Sequence, residues 1–320
     1  MNKFTKIGLS ALAGSLVAFS AQAGSLSASG AATISFANGD DKSLTHEGNQ
    51  WTMGDSITLS GSGEMDNGMS ISLSFEIDND DTGGGDVYDS HSMTLDTNGY
   101  GTLTFSGHGG SSAMSALDDV TPNAYQESWD VVTGAETGTL VGGHSGDNMF
   151  TYKSPEVSGA TVTVAYLNAS DAVTDNSYMD FSIVAKPEMV EGLEVGYGFG
   201  ETEVVNGTAI DETAMYVKYT YGSLTVGYQI NEADGPAAAN DLDFTAWGVT
   251  YAVTDDFTVG YNTSESDNAN DADVQEATTI GASYTSGGIT VGGSLNSVDN
   301  VGFDASADRD GYEFNIAFAF

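Results

Sequence analysis

Residues 215–230 read MYVKYTYGSLTVGYQI, and apolar side chains occupy every second position on both sides of Tyr221-Gly222-Ser223. This alternation is typical of a β-strand with two different faces, and a Gly-containing link between two such runs is typical of a tight turn. In this and similar stretches the intervening residues are mostly Gly, Thr, Ser, Glu and Gln. The stretch therefore predicts two antiparallel strands, each with an apolar and a polar face.

The same pattern recurs along the chain after residue 24. Its repeats are short, as expected for strands rather than helices. We predict sixteen strands, at residues 25–37, 55–65, 69–77, 90–97, 100–106, 148–154, 160–168, 177–186, 193–200, 211–220, 224–230, 243–252, 257–263, 276–285, 289–296 and 310–320. The fold class is therefore expected to be all-β.

The connectors between the predicted strands alternate in length. Asn98-Gly99 and Ser286-Gly287-Gly288 have the composition of tight turns, whereas 38–54 and 264–275 are long and polar. Turns at one rim and long loops at the other are typical of a transmembrane up-and-down antiparallel β-barrel. A sheet in lipid must close because an open edge leaves backbone groups without partners, and sixteen strands close around water.

Tyrosine stands beside many of the predicted turns. At the boundary between lipid and water, the ring of Tyr lies in the lipid while its hydroxyl reaches water. Tyr is also simply a good strand former. The residues expected in such a girdle are Tyr100, Tyr152, Tyr166, Tyr178, Tyr221, Tyr251 and Tyr284.

The 320 residues include 46 acidic and 7 basic ones and no Cys, and the formal net charge is −39. Nucleic acid is excluded as a partner because phosphate contacts need clustered Lys and Arg. The lack of Cys excludes disulfides, thiol catalysis and thiolate metal sites. We expect no cofactor and no catalytic residue.

Residues 1–23 have the features of a secretory signal. Lys3 and Lys6 precede an apolar run at 7–19, and Ala21-Gln22-Ala23 is a small-residue cleavage site. The apolar run is shorter than the ~20 residues that a spanning helix needs. We therefore expect the barrel domain to comprise residues 24–320.

Residues 107–147 do not alternate. Residues 113–117 suit a helical turn or two, and the rest carries Asp118, Asp119, Glu127 and Asp130. A structureless segment of this length argues against a strand assignment unless it is functional. We predict that it is a loop folded into the lumen of the barrel.

The last strand, Gly311 to Phe320, alternates aromatic residues and closes on Phe, as in outer-membrane barrel proteins. Residues 148–155, NMFTYKSP, are similar to the segment that leaves the constriction loop of porins. With the strand count and the long third loop, the chain resembles the general bacterial porins over its mature length. The resemblance implies a homotrimer in the outer membrane, with a water-filled pore in each subunit that small hydrophilic solutes and ions cross by diffusion.

The chain departs from that family in its basic residues. General porins set acidic loop residues against arginines on the opposite wall, but Arg309 is the single Arg of the chain, and Thr151 stands where the family often has Arg. We expect Thr151, Lys153, Lys218 and Arg309 to line the pore wall. We further predict that Asp118, Asp119, Glu127 and Asp130 form the constriction and favour cations, although they would also serve simply to solvate the loop.

Other functions are retained as alternatives. They are an outer-membrane barrel enzyme, a substrate-specific channel, and a secreted acidic β-sandwich or β-solenoid adhesin. His108 and His144 bracket the long loop, but no other residues at ligand spacing support a metal site. Acidic loops are also suited to hold Ca²⁺ or Mg²⁺ that bridges to lipopolysaccharide, and residues 78–83 partly resemble a calcium loop.

The first strand has small residues on its apolar face, including Ala28, Gly30 and Ala32. Small side chains favour close protein contact over contact with lipid. We therefore predict that this strand contributes to the subunit interface.

Overall fold

The computed structural model describes residues 25–39, 50–78, 89–132, 135, 144–168, 177–203, 209–235 and 241–320. The predicted signal peptide, residues 1–23, lies outside them. In the described part of the chain, no helix is both long enough and apolar enough to cross a membrane.

The strands are β1 Leu26–Gly39, β2 Gln50–Glu64, β3 Ser70–Asp78, β4 Ser90–Asp96, β5 Thr102–His108, β6 Gly110–Ser111, β7 Ser145–Gly146, β8 Met149–Lys153, β9 Ala160–Leu167, β10 Tyr178–Ala185, β11 Leu193–Thr202, β12 Ile210–Tyr221, β13 Leu224–Asp234, β14 Leu242–Ala252, β15 Phe257–Asn268, β16 Gln275–Ser286, β17 Ile289–Asp299 and β18 Arg309–Ala319. Sixteen of them form one closed antiparallel barrel, in which each strand pairs with its neighbours in the chain and β1 pairs with β18. The other two, β6 and β7, form a short separate ladder. The expected fold class is confirmed.

Each of the sixteen predicted segments coincides with one barrel strand. The predicted bounds are too short at the rim of the long loops. There β2 begins at Gln50 rather than at 55, and β13 and β15 end at Asp234 and Asn268 rather than at 230 and 263. Both faces are polar at these ends, so the alternation fades while pairing continues, for example between Glu232 and Asp243.

Side chains alternate between the outside and the lumen along each strand. On β13, Val226 and Tyr228 lie on the outer face and are 41% and 44% exposed. Gln229 and Asn231 point to the lumen and are 1% and 0% exposed. Burial is therefore on the polar side of the sheet, because a segment of the chain covers the inner wall.

The chain ends close the barrel. The N–H of Gly30 donates to the carbonyl of Phe320 at 2.9 Å, and the N–H of Phe320 donates back to the carbonyl of Gly30 at 2.9 Å. A Cβ on Gly30 would lie 2.6 Å from the Phe320 ring. Glycine at this position thus lets the terminal aromatic ring lie against the first strand.

Six of the seven tyrosines assigned to the girdle are exposed, but the assignment of Tyr178 is wrong. Tyr178 is buried and faces the lumen, where its ring stacks on His144 with centroids 4.9 Å apart. Its position in the alternation explains this: Met179 and Phe181 are exposed on the outer face, whereas Asp180 is buried like Tyr178.

Candidate functional site

The segment 107–147 forms a loop whose two ends are held together. Its base is the ladder of β6 and β7, extended by two hydrogen bonds between Ser112 and His144: the N–H of Ser112 donates to the carbonyl of His144, and the N–H of His144 donates to Ser112 Oγ, both at 2.9 Å. The expected helical turn is a 3-10 turn at Met114–Ala116, and a single α-helical turn, α1, spans Ser128–Val131.

A carboxylate on the barrel wall anchors the start of the loop. The N–H groups of Ala113 and Met114 donate to Asp180 Oδ1 and Oδ2 at 3.1 and 2.7 Å. The Tyr178 hydroxyl also donates to Oδ2, at 3.1 Å. Asp180 is only 3% exposed. Charge-assisted hydrogen bonds of this kind are about twice as strong as neutral ones.

Amides on β13 and β15 hold the next part of the loop. The Val120 N–H donates to Gln229 Oε1 at 3.0 Å, and Gln229 Nε2 donates back to the carbonyl of Asp118. Further along the wall, Asn262 Nδ2 donates to Thr121 Oγ1 at 2.8 Å. An amide is suited to this role because it both donates and accepts, so it satisfies either kind of loop backbone group.

The next described part of the loop, which includes Tyr125, Ser128 and Ala135, reaches β16 and β18. Tyr125 donates its hydroxyl to Glu313 Oε1 at 2.9 Å, Ser128 Oγ donates to the carbonyl of Thr278 at 2.7 Å, and Gln275 Nε2 donates to the carbonyl of Ala135 at 2.9 Å. Apolar packing adds to these bonds, in a cluster that includes Val131, Val132, Ala135, Phe244, Ala246 and Val298. The loop thus follows the inner wall from β10 to β18, and its predicted place in the lumen is confirmed.

Glycines on successive strands allow this close approach. A Cβ on Gly248 would lie far inside van der Waals contact with the Pro122 carbonyl oxygen, and a Cβ on Gly260 would lie 2.9 Å from Ala124 N. The same holds along the strands that carry the loop, at Gly198, Gly227 and Gly292. The alternation of apolar and polar residues does not reveal this loop-binding surface, although glycines in the lumen-facing positions of consecutive strands are its signal.

The structure separates the four predicted constriction carboxylates. Asp119 is exposed and Asp118 is half-buried, whereas Glu127 is only 4% exposed. Burial, and after it the neighbouring charge of Asp119, raises the pKa of Asp118 to about 6. Asp130 lies in α1, and its side chain is outside the described residues.

The predicted wall residues are spread around the lumen rather than gathered. Lys218 on β12 contacts Glu194 Oε1 at 3.0 Å, and Lys186 contacts Oε2 of the same carboxylate at 3.0 Å. Thr151 and Lys153 occupy positions on β8 that alternate with the exposed Phe150 and Tyr152.

Arg309, the fourth predicted wall residue, is at the long-loop end of β18. Tyr312 and Phe314 face outward, so Arg309 is at a lumen-facing position of the strand. Its register partner is Val298, which packs against the loop.

The wall formed by β1 to β5 carries hydroxyl groups. Its lumen-facing positions include Ser72, Ser74, Thr94 and Thr104, and the hydroxyls of Thr94 and Thr104 lie 2.9 Å apart. A Cβ on the lumen-facing Gly54 would meet no atom within 4 Å. These five strands contain no Lys and no Arg. On this side the acidic loop therefore faces hydroxyl groups and a further carboxylate, Glu76, which alternates with the exposed Ile77, but no Lys or Arg.

One cavity opens between the loop and strands β12 to β14. It has a volume of about 530 Å³, and its lining includes Asp119 and Glu127 from the loop together with Lys218, Thr220 and Thr250 from the wall. In the described part of the chain, no three His, Asp or Glu side chains are grouped so that they would hold a metal ion. The calcium-like stretch at 78–83 lies outside the described residues from Asn79 onward.

Comparisons with known proteins agree with this architecture. A family model described as Gram-negative porin matches residues 8–278. No curated protein matches the sequence. Among solved structures, the chain is similar to a triple mutant of Rhodopseudomonas blastica porin, with a TM-score of 0.68 and 17% identity over 92% of this chain and 100% of that one. Another mutant of the same porin has a TM-score of 0.68 and 16% identity over the same shares.

At identities of 16–17% the structural likeness shows the fold alone. The family model shows the family, because it matches most of the chain. The closed sixteen-stranded barrel of this chain agrees with that family match. The chain therefore belongs to the Gram-negative porin family and is a channel-forming barrel of the bacterial outer membrane.

Proposed function

We propose that this porin passes small hydrophilic solutes and ions by passive diffusion and that it prefers cations. The carrying observation is the lack of countercharge across the lumen: Asp118 and Asp119 lie on the loop, and the facing strands β1 to β5 contain no Lys and no Arg. Glu127 and Asp130 are the other two proposed contributors. Family and fold point to a channel rather than an enzyme.

The size of the preference follows from simple electrostatics. A single carboxylate ~8 Å from a permeating ion in water contributes about 0.5 kcal/mol, and four together contribute roughly 2 kcal/mol before screening. At physiological salt the Debye length is ~8 Å, so much of this is lost. We expect cations to be favoured several-fold, about two- to fivefold, at moderate ionic strength.

The test is the reversal potential of the wild-type channel in planar bilayers under a KCl gradient. We expect a potential of cationic sign that D118N/D119N reduces. The matched control is D66N/D256N, which removes the same charge from exposed tight turns outside the loop. A wild-type potential of anionic sign, or equal effects of the two double variants, would contradict the proposal.

We also propose a homotrimer, as the porin family suggests, with the outer face of β1 and β2 in the interface. Asp55 supports this placement. It alternates with the exposed Met53 and Ile57 and pairs with Ala32, so its carboxylate is on the outer face. A carboxylate facing hydrocarbon is costly, whereas a partner subunit can supply polar groups.

The acidic loops suggest a further partner. We propose that divalent cations bridge them to lipopolysaccharide phosphates, because Ca²⁺ and Mg²⁺ prefer oxygen ligands. Co-purified lipopolysaccharide should then fall when the protein is washed with a chelator, and should be restored by Mg²⁺. Retention that is independent of divalent cations would rule the bridge out.

A further inference from the structure

The cavity beneath the loop has opposite charges on its two sides. Asp119 and Glu127 belong to the loop, and Lys218 belongs to β12. Its volume of about 530 Å³ is within the range of pockets that hold small organic molecules. The cavity extends toward the tight-turn rim, since Thr220 and Thr225 flank the turn at Gly222.

Lys218 belongs to a charged group that extends beyond the lining of the cavity. Lys218 and Lys186 share the single carboxylate of Glu194, each at 3.0 Å, and the Tyr216 hydroxyl donates to Glu194 Oε1 at 2.8 Å. One carboxylate thus balances two ammonium groups, and the group keeps a net positive charge. An ammonium has three N–H donors, so Lys218 can bind an anionic group besides Glu194.

A row of hydroxyl groups adjoins this positive charge. Thr220 pairs with Thr225, and Thr225 pairs with Thr250, so three neighbouring strands present threonine at one level. The hydroxyls of Thr220 and Thr225 lie 3.0 Å apart. Hydroxyls donate hydrogen bonds as well as accept them, and they suit the oxygen atoms of a carboxylate.

We propose that this cavity is a binding subsite for small zwitterionic solutes of the amino-acid class. The carboxylate of the solute lies near Lys218 and the threonine row, and its ammonium group faces Asp119. The subsite rests on the proposed diffusion function, because the solute must enter through the open lumen. It adds selectivity for separated charges of both signs, which a uniformly acidic pore would lack.

The test measures swelling of proteoliposomes at low salt with two probes of similar size, L-serine as the zwitterion and glycerol as the neutral solute. The readout is the ratio of the serine rate to the glycerol rate within each variant, which cancels differences in channel number and pore width. We expect K218M to lower this ratio about two- to fivefold, the effect of losing one exposed ion pair. D119N should also lower it, and K218R should retain it.

The matched control is K153M, which removes the same charge from the lumen-facing side of β8, outside the cavity. We expect it to lower the ratio clearly less than K218M. Equal effects of K153M and K218M, or a normal ratio in both K218M and D119N, would overturn the subsite but leave the channel in place. If wild-type protein failed to admit glycerol, the diffusion function itself would fall, and the subsite with it.

Discussion

At the scale of single residues, Asp118 links burial to ion selectivity. Burial and the neighbouring Asp119 raise the pKa of its carboxyl to about 6, so the group is mostly neutral at pH 5 and mostly charged at pH 7. Cation preference should therefore increase as the pH rises through this range. Reversal potentials measured from pH 5 to pH 7 should show the increase in wild-type protein.

The control for this titration is D118N, which should remove the part of the change centred near pH 6. D66N alters an exposed turn carboxylate and should leave that part intact. A pH dependence that survives in D118N would mean that another group is responsible.

Gly248 lies where the backbone of the loop packs against the barrel wall. An added methyl group would collide with the carbonyl oxygen of Pro122, which belongs to the loop backbone and has no flexible side chain to move. We expect G248A to displace the loop toward the lumen, with an overpacking cost of about 1–3 kcal/mol, and to lower single-channel conductance. Gly54 is the matched position because it faces the lumen where a Cβ would meet no atom within 4 Å. A lower conductance in G54A of the same size would contradict this account.

The sequence shows that the loop is acidic, but it does not show which of the acidic side chains reach water. Asp119 is exposed and Glu127 is almost fully buried, although both are acidic residues of one polar stretch. The difference depends on contacts with strands more than a hundred positions later in the chain, such as the bond between Ser128 and Thr278. No local pattern contains that information.

At the scale of elements, the start of the loop depends on Asp180. Replacing Asp180 with Ala would leave the N–H groups of Ala113 and Met114 without acceptors, at about 1–3 kcal/mol for each buried group. We expect D180A channels to fluctuate more in single-channel recordings, because the 3-10 turn is no longer held to β10. E201A, an exposed position at the end of β11, is the control. Steady currents in D180A would show that β6 and β7 suffice to fix the loop.

The strands themselves were predictable because alternation is a local signal. It was strongest where the outer face meets lipid, as at Val226 and Tyr228. It was weakest at the polar rim, where β15 continues to Asn268. The same rule, applied strictly, places Tyr178 on the lumen face. Met179 and Phe181 are exposed on the outer face, and Tyr178 is an odd number of residues from each of them.

At the scale of the whole molecule, the barrel was predictable and the path of the loop was not. Closure follows from a general requirement, because a sheet edge in lipid is too costly to leave open. The loop follows β10 to β18 because many separate side chains hold it there, among them Asp180, Gln229 and Glu313. Each looks in the sequence like one more polar lumen residue.

The outer face of β1 offers a final prediction about assembly. Ala28 and Ala32 flank Gly30, which lies against the ring of Phe320. Small side chains there serve either a subunit contact or the seating of this terminal ring. Tryptophan is well tolerated toward lipid near the interface but overfills a packed protein contact. We therefore expect A28W/A32W to dissociate into folded monomers at a lower temperature than wild-type trimer on gels.

V226W is the control at another place on the outer face, since Val226 is exposed on β13, six strands from β1 around the barrel. Its oligomer should dissociate at the wild-type temperature, because no subunit contact is expected there. An unchanged oligomer in A28W/A32W would exclude this face from the interface. If the barrel itself failed to fold in A28W/A32W, both alanines would instead be needed for the packing of Phe320 against β1. That packing lies within one chain, whereas a subunit contact does not.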